Sequence, residues 1–318
     1  MRQALETPPL PYAMLTGPCA RVIQMTTSNL TDSRAARRPG LRCPKVLATV
    51  LLALLAGAAT VGARAASSDG TLRVCADPQN MPFSNEKGEG FENKLVDLIA
   101  GKLDLHVVYT WLPQVVGHVA TLPDDTDCDI LMGYAQGTGL IEDTNPYYRT
   151  SYVLLYRQND KSLAGVESLA DERLKTKTIG ILARTPPVSI MAMNGLMSNA
   201  RSFEVMGDRS PSDAAAAVIT AIASGEIDAG ILWGPLGGYY AQTAKVPLAL
   251  VPLVKEKAGP AAIYGITMGV RPNEPEWKHK LNKLIAANQA DINAMLGEYN
   301  VPLLDENGNL IKTSTAER

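Results

Sequence analysis

The sequence predicts an α/β protein of two lobes, each a mainly parallel sheet flanked by helices, with a cleft between them. Three observations carry this. Short apolar runs of strand length alternate with amphipathic helical stretches, the order that parallel sheets require. That alternation occurs twice, in residues 71–134 and again in 178–233. The 318 residues, 46% of them hydrophobic, suffice for about two domains with cores of their own. The expected divisions are residues 1–65 as N-terminal extension and signal peptide, 66–157 as the first part of lobe 1, 158–260 as lobe 2, and 261–318 as the return to lobe 1. Chain crossings are expected near residues 156–160 and 258–261.

The elements follow in order. Residues 45–65 (KVLATVLLALLAGAATVGARA) place an apolar run behind Arg37, Arg38, Arg42 and Lys45, and end in Ala63-Arg64-Ala65. That is the pattern of a secretory signal peptide, with cleavage expected after Ala65 or Ala66. The run is shorter than the roughly 20 residues a spanning helix needs, so no membrane span is expected after cleavage. The residues before it show no periodicity, and Met25 offers an alternative start. Residues 72–76 form a strand that runs into the turn ADPQNMPFSN. GEGFENKLVDLIAGKL (88–103) repeats apolar residues at helical spacing. Strands are expected at 106–111 (HVVYTW) and 128–134 (CDILMGY), with a helical stretch at 112–122 between them. Residues 150–160 begin as a strand and turn polar at Arg157. A strand at 178–182 precedes a helix from 185, where Pro186 and Pro187 sit at the tolerant first turn. The helix from Ser212 stops at Gly225 and is followed by the strand IDAGILW. A strand at 260–271 leads to one long amphipathic helix over 274–299, whose apolar face reads as core.

Composition excludes some functions. Residues 1–65 carry eight Lys+Arg against two Asp+Glu, leaving 22 basic and 30 acidic residues in the remainder, a net of −8. An acidic exported chain is a poor partner for nucleic acid. Cys19 and Cys43 fall in the removed segment, so Cys75 and Cys128 remain. In an oxidising compartment they read first as a disulfide and second as two packed thiols. His106, His118 and His279 have no His or Cys at metal spacing. Ser84-Asn85-Glu86-Lys87 matches S-x-x-K but lacks the S-D-N and K-T-G partners of that chemistry. Gly133, Gly137 and Gly139 mark a flexible turn without a phosphate-loop lysine. No nucleophile, base and orienter assemble in the sequence, so no enzyme and no cofactor are implied.

The segments RVCADPQNMPFSN, GFENKLVDLIA, CDILMG and NPYYRTSYVL, in this order over residues 71–300, resemble the periplasmic solute-binding proteins of type II fold, especially the polar-amino-acid group. VCADPQNMPFSNEKGEGFENK, TPPVSIMAMNGL, IDAGILWGPLGGYYA and the run from Met268 to Glu306 resemble more closely the quinoprotein-dehydrogenase-associated members, the J proteins encoded beside methanol dehydrogenases of pyrroloquinoline quinone (PQQ) type. The resemblance implies a two-lobed periplasmic protein serving a PQQ-dependent methanol or alcohol dehydrogenase and its cytochrome c by contact. The alternative is a transport binding protein delivering a small non-zwitterionic solute to an ABC permease.

Three departures bear on the ligand. Amino-acid binders carry an Arg shortly before the Pro-Tyr of the crossover strand, to pair with the ligand carboxylate. Residues 133–146 contain none, and Arg149 lies beyond it. Trp233 stands where those binders place the Asp that holds the ammonium. Pro186 and Pro187 remove N–H donors from the helix start that would face the carboxylate. The cleft is therefore expected not to bind ordinary α-amino acids.

The candidate cleft residues are Asp77, Asn80, Phe83, Tyr134, Tyr147, Arg184, Thr185 and Trp233. Asp77 and Asn80 read either as ligand contacts or as turn residues bonding their own backbone. Phe83 either walls the cleft or anchors the turn. Tyr147 and Tyr148 alternate, so at most one faces the cleft. Trp233 is either a platform or core filling. Thr185 is expected to cap the helix after it, and Arg184 to stand as a lone anion contact.

Overall fold

The computed structural model describes residues 69–112, 128–137, 141–205 and 210–312. In chain order the elements are β1 (Thr71–Ala76), β2 (Gln79–Asn80), β3 (Ser84–Asn85), α1 (Phe91–Leu103), β4 (His106–Trp111), β5 (Ile130–Ala135), β6 (Glu142–Asp143) and β7 (Tyr148–Arg157). There follow β8 (Ile179–Leu182), α2 (Pro186–Met193), β9 (Ala200–Phe203), α3 (Pro211–Ser224), β10 (Ala229–Trp233), α4 (Gly234–Gln242) and β11 (Leu248–Pro252). The return elements are β12 (Ile263–Val270), α5 (Pro275–Ala287) and α6 (Gln289–Glu298). The expected helix at 112–122 falls almost wholly outside the described residues, as does the signal segment.

Two mixed sheets share one strand. The first runs β4-β1-β5-β12-β7, with β4, β1 and β5 parallel and β12 antiparallel to its neighbours. The second runs β9-β8-β10-β7, parallel through β10, with β11 also antiparallel on β7. β7 changes partners part-way along. Tyr148 to Ser151 pair with β12, and Tyr152 to Trp233 opens the pairing with β10. The change of sheet thus comes ahead of residues 156–160.

Each sheet buries its alternate residues. Leu72, Val74 and Ala76 of β1 face a core closed by Phe91, Leu95 and Ile99 of α1 and by Trp277, Leu281 and Ile285 of α5. Cys75 faces the other way, into a smaller cluster with Cys128, Leu131, Tyr134 and Ile141. The second sheet is covered on one face around Ile190 and Met191 of α2 and on the other by α3 and α4. This is what near-continuous apolar strands require, since both faces are dry.

Cys75 and Cys128 form a disulfide with Cα atoms 5.6 Å apart. Cys128 enters just before β5, so the pair spans adjacent parallel strands. Closing a loop of sequence separation 53 removes about 4 kcal/mol of unfolded-chain entropy by the usual relation.

Local signals explain most boundaries. Ser210 caps α3 by accepting the Asp213 N–H while Asp213 reaches back to the Ser210 N–H, and Gly225 ends the helix at φ 81°. Two expectations differ. The single helix over 274–299 is broken at Asn288, whose amide bonds back to the Leu284 carbonyl, a competition typical of Asn. α4 was not legible, because GPLGGYYAQ is poor in helix formers.

Candidate functional site

The lip of the first lobe follows β1. Asp77 is buried and turns the chain. Its Oδ1 accepts the Gln79 N–H at 2.8 Å, and its carbonyl accepts the Ser84 hydroxyl at 2.8 Å. The two-residue strands β2 and β3 then form a small hairpin around the cis Met81–Pro82 peptide.

Asn80 is buried as well, and its partner belongs to the other lobe. The Ser212 hydroxyl of α3 lies 2.5 Å from the Met81 carbonyl and 3.2 Å from Asn80 Oδ1. One hydroxyl proton serves one acceptor well, so the shorter contact to Met81 takes it. The Tyr240 hydroxyl of α4 reaches the same Met81 carbonyl at 3.5 Å. Phe83 packs against both lobe cores and meets Phe91 edge-to-face at 5.3 Å. Trp233 also touches both cores and forms an edge-to-face trio with Tyr152 at 5.1 Å and Tyr264 at 5.8 Å. Asn80, Phe83 and Trp233 are thus all placed where the lobes meet.

The remaining candidates lie apart from that seam. Tyr134 is buried beside the disulfide, and its hydroxyl finds no partner among the described residues. Tyr147 and Tyr148 are both buried in the first core, their rings 5.0 Å apart. Arg184 is exposed in a left-handed conformation, φ 61°. Thr185 occupies the cap position of α2, but its hydroxyl donates to the Leu182 carbonyl at 2.7 Å instead of accepting a helix N–H. The expected cap is thus absent, and the hydroxyl instead ties the helix start to the end of β8.

The sequence reading missed Ser212, Tyr240 and Glu92. Glu92 lies on the first turn of α1 and is buried. The Tyr147 hydroxyl donates to its Oε1 at 3.3 Å and accepts the Gly133 N–H at 3.2 Å. Gly133 leaves room for the carboxyl: a Cβ there would stand 2.4 Å from Glu92 Oε1. Burial pushes the Glu92 carboxyl up to about 8, against the Tyr147 hydrogen bond and with the help of the nearby Asp77 charge. Burial likewise raises the Tyr147 phenol well above its ordinary value. An acid in a first helical turn is ordinary on a surface helix, so nothing in the sequence marked this one.

Among the described residues no group of three or more His, Cys, Asp or Glu is placed to hold a metal ion, and no helix is long and apolar enough to cross a membrane.

Two α/β sheets sharing one crossover strand, with the strand-end turns meeting across a seam, define a periplasmic binding protein of type II fold. No protein-family model matches the chain. Protein MoxJ of Paracoccus denitrificans is 27% identical over 264 residues, 78% of this chain and 95% of MoxJ. The crystal structure of periplasmic binding protein XoxJ from Methylobacterium extorquens AM1 matches with a TM-score of 0.63 at 41% identity, covering 74% of this chain and 100% of that one. An ancestral cationic amino acid solute binding protein shares the fold, with a TM-score of 0.56 at 20% identity over 73% of this chain and 96% of its own. The chain belongs to the MoxJ-type family of periplasmic binding proteins.

Proposed function

We propose that this protein is a non-catalytic accessory of a PQQ-dependent methanol or alcohol dehydrogenase, exported to the periplasm by cleavage of its signal segment and acting through contact with the dehydrogenase and its cytochrome c. The membership of the MoxJ-type family supports the system it serves. One observation supports the absence of a transport ligand. The Met81 carbonyl of the lip is occupied by the second lobe, through Ser212 and Tyr240, and Ser212 packs beside Asn80. With Trp233 in place of a carboxylate and no Arg in residues 133–146, a zwitterion would be buried without its counter-charges, a cost of several kcal/mol. We place the lobe boundaries inside β7, at Ser151–Tyr152, and in residues 253–262.

The test pairs two measurements on the mature protein. Pull-down with the quinoprotein dehydrogenase is expected to retain the complex, and a thermal-shift screen of the standard amino acids to leave the melting temperature unchanged. Capture of no dehydrogenase, together with a shift of several degrees from a small solute, would instead make this a transport binding protein, since a bound ligand raises stability by mass action.

A further inference from the structure

A groove of about 630 Å³ lies on the first lobe, between the start of β7, the α5–α6 pair and the chain that follows α6. Asp77, Asn80, Phe83 and Trp233 line none of it. Its volume is in the range of small-molecule sites, roughly 300–1,000 Å³.

Arg149 enters this groove, and its guanidinium makes no hydrogen bond or ion pair among the described residues. The other part-buried arginines are satisfied. Arg157 donates to the Ile222 and Ile227 carbonyls and lies 3.8 Å from Asp228, and Arg271 holds Asp129 and Glu274. Five donors in a planar fork, seated in a concavity and hydrogen-bonded to none of its acceptors among the described residues, suit a carboxylate from outside.

The fork lies beside Gly265. A Cβ on Gly265 would stand 3.0 Å from Arg149 Nη1 and 3.0 Å from Gln136 Oε1. The guanidinium and the amide therefore converge on the bare backbone of Gly265. Two further amides are held from behind. Asn282 Oδ1 accepts the Asn145 N–H at 2.6 Å, and Asn293 Oδ1 accepts from Gln289 Nε2 at 2.9 Å. Each is thereby left with its Nδ2 donors unspent in the groove wall. Two carboxylates also line the groove. Asp305 is committed to its own turn, taking the Asn307 and Asn309 N–H groups and the Asn309 amide. Glu306 is exposed. Both repel any anion in the groove and a dianion more strongly, so one negative charge facing Arg149 is favoured over two.

We propose that this groove binds a small monoanionic hydroxy acid, its carboxylate on Arg149 and its hydroxyls on the amides of Gln136, Asn282 and Asn293. The site is independent of the contact function above.

The test is titration calorimetry of the mature protein with gluconate and lactate at low ionic strength, with malate as the dianionic comparison. Gluconate is expected to bind with a dissociation constant of about 1 mM or tighter. Arg149→Gln is expected to weaken it about tenfold or more, and Arg149→Lys to fall between, since lysine keeps the charge and loses the fork. Both variants are expected to melt as the wild type does and to capture the dehydrogenase equally, because Arg149 holds nothing in the fold. No heat from gluconate or lactate at about 10 mM, equal binding by Arg149→Gln, or tighter binding of malate than of gluconate would each overturn the proposal.

Discussion

Glu92 is a buried acid. Its carboxyl, shifted to about 8 by burial, is protonated in the folded chain over a range where the unfolded chain has already released the proton. The sign follows from linkage: a raised carboxyl contributes stability that is complete below its ordinary value of 4.5 and is lost as pH rises through about 8. Each pH unit inside that window costs up to about 1.4 kcal/mol. Glu92→Gln keeps the shape and cannot ionise. Urea unfolding at about pH 5 and pH 8 is expected to show the wild type losing a few kcal/mol relative to the variant as pH rises. Parallel pH profiles for the two proteins would mean that Glu92 is ionised in the fold. Glu92 also shows what residue-level reading misses. Its identity and helix position are ordinary, and the groups that meet its carboxyl, the Tyr147 hydroxyl and the bare backbone of Gly133, are distant in sequence. Asp77 and Asn80 were legible as lip residues from the strand-turn pattern. The cross-lobe contacts were not, because Ser212 reaches Asn80 and Met81, and Tyr240 reaches Met81, across the seam and no local pattern encodes that.

At the scale of elements, α4 reverses the usual meaning of glycine in a helix. It carries Gly234, Gly237 and Gly238 within nine residues, a composition that argues against helix. The packing explains the choice. A Cβ on Gly238 would fall 1.9 Å from the Asn300 carbonyl oxygen, and one on Gly234 would fall 2.5 Å from that of Ser151. The chain after α6 lies on this surface, with Asn300 Nδ2 donating to the Gly238 carbonyl at 3.1 Å and the Thr150 hydroxyl donating to the Pro302 carbonyl at 2.8 Å. Tyr239 of α4 stacks on Tyr299 just before it. A segment that follows the first lobe's last helix is thus strapped onto the second lobe. The two effects of Gly238→Ala have opposite sign. Helix propensity alone favours alanine by about 1 kcal/mol, whereas overpacking against backbone costs about 1–3 kcal/mol or more. The clash is with main chain that cannot rotate aside, so the variant is expected to be less stable by about 2 kcal/mol in chemical denaturation. A gain in stability would show that the strap does not touch α4. The other helices were legible from periodicity and caps, as α3 shows, because their signals are local. α4 is set by tertiary contact and could not be read that way.

Over the whole molecule, the alternation of strands and helices was enough to give two α/β lobes. It did not give the degree to which they are joined. β7 belongs to both sheets, so its ten residues cannot leave one core without disturbing the other. Phe83 and Trp233 each contribute to both cores. Ser212 and Tyr240 close one side of the seam, and the strap from Tyr299 to Pro302 closes another. Lobes coupled through a few exposed linkers open independently and melt in separate steps. Here the shared strand, shared aromatic side chains and strap make unfolding of one lobe expose apolar surface on the other. Differential scanning calorimetry of the mature protein is therefore expected to show a single transition whose calorimetric and van't Hoff enthalpies agree. Two resolved transitions, or a calorimetric enthalpy well above the van't Hoff value, would show that the seam does not couple the lobes. The same coupling bears on function. A binding protein that signals a ligand must spend binding energy on bringing its lobes together. In this chain Ser212 and Tyr240 on the Met81 carbonyl, and Asn300 on the Gly238 carbonyl, already join the lobes, so part of that closure is supplied by the chain's own contacts.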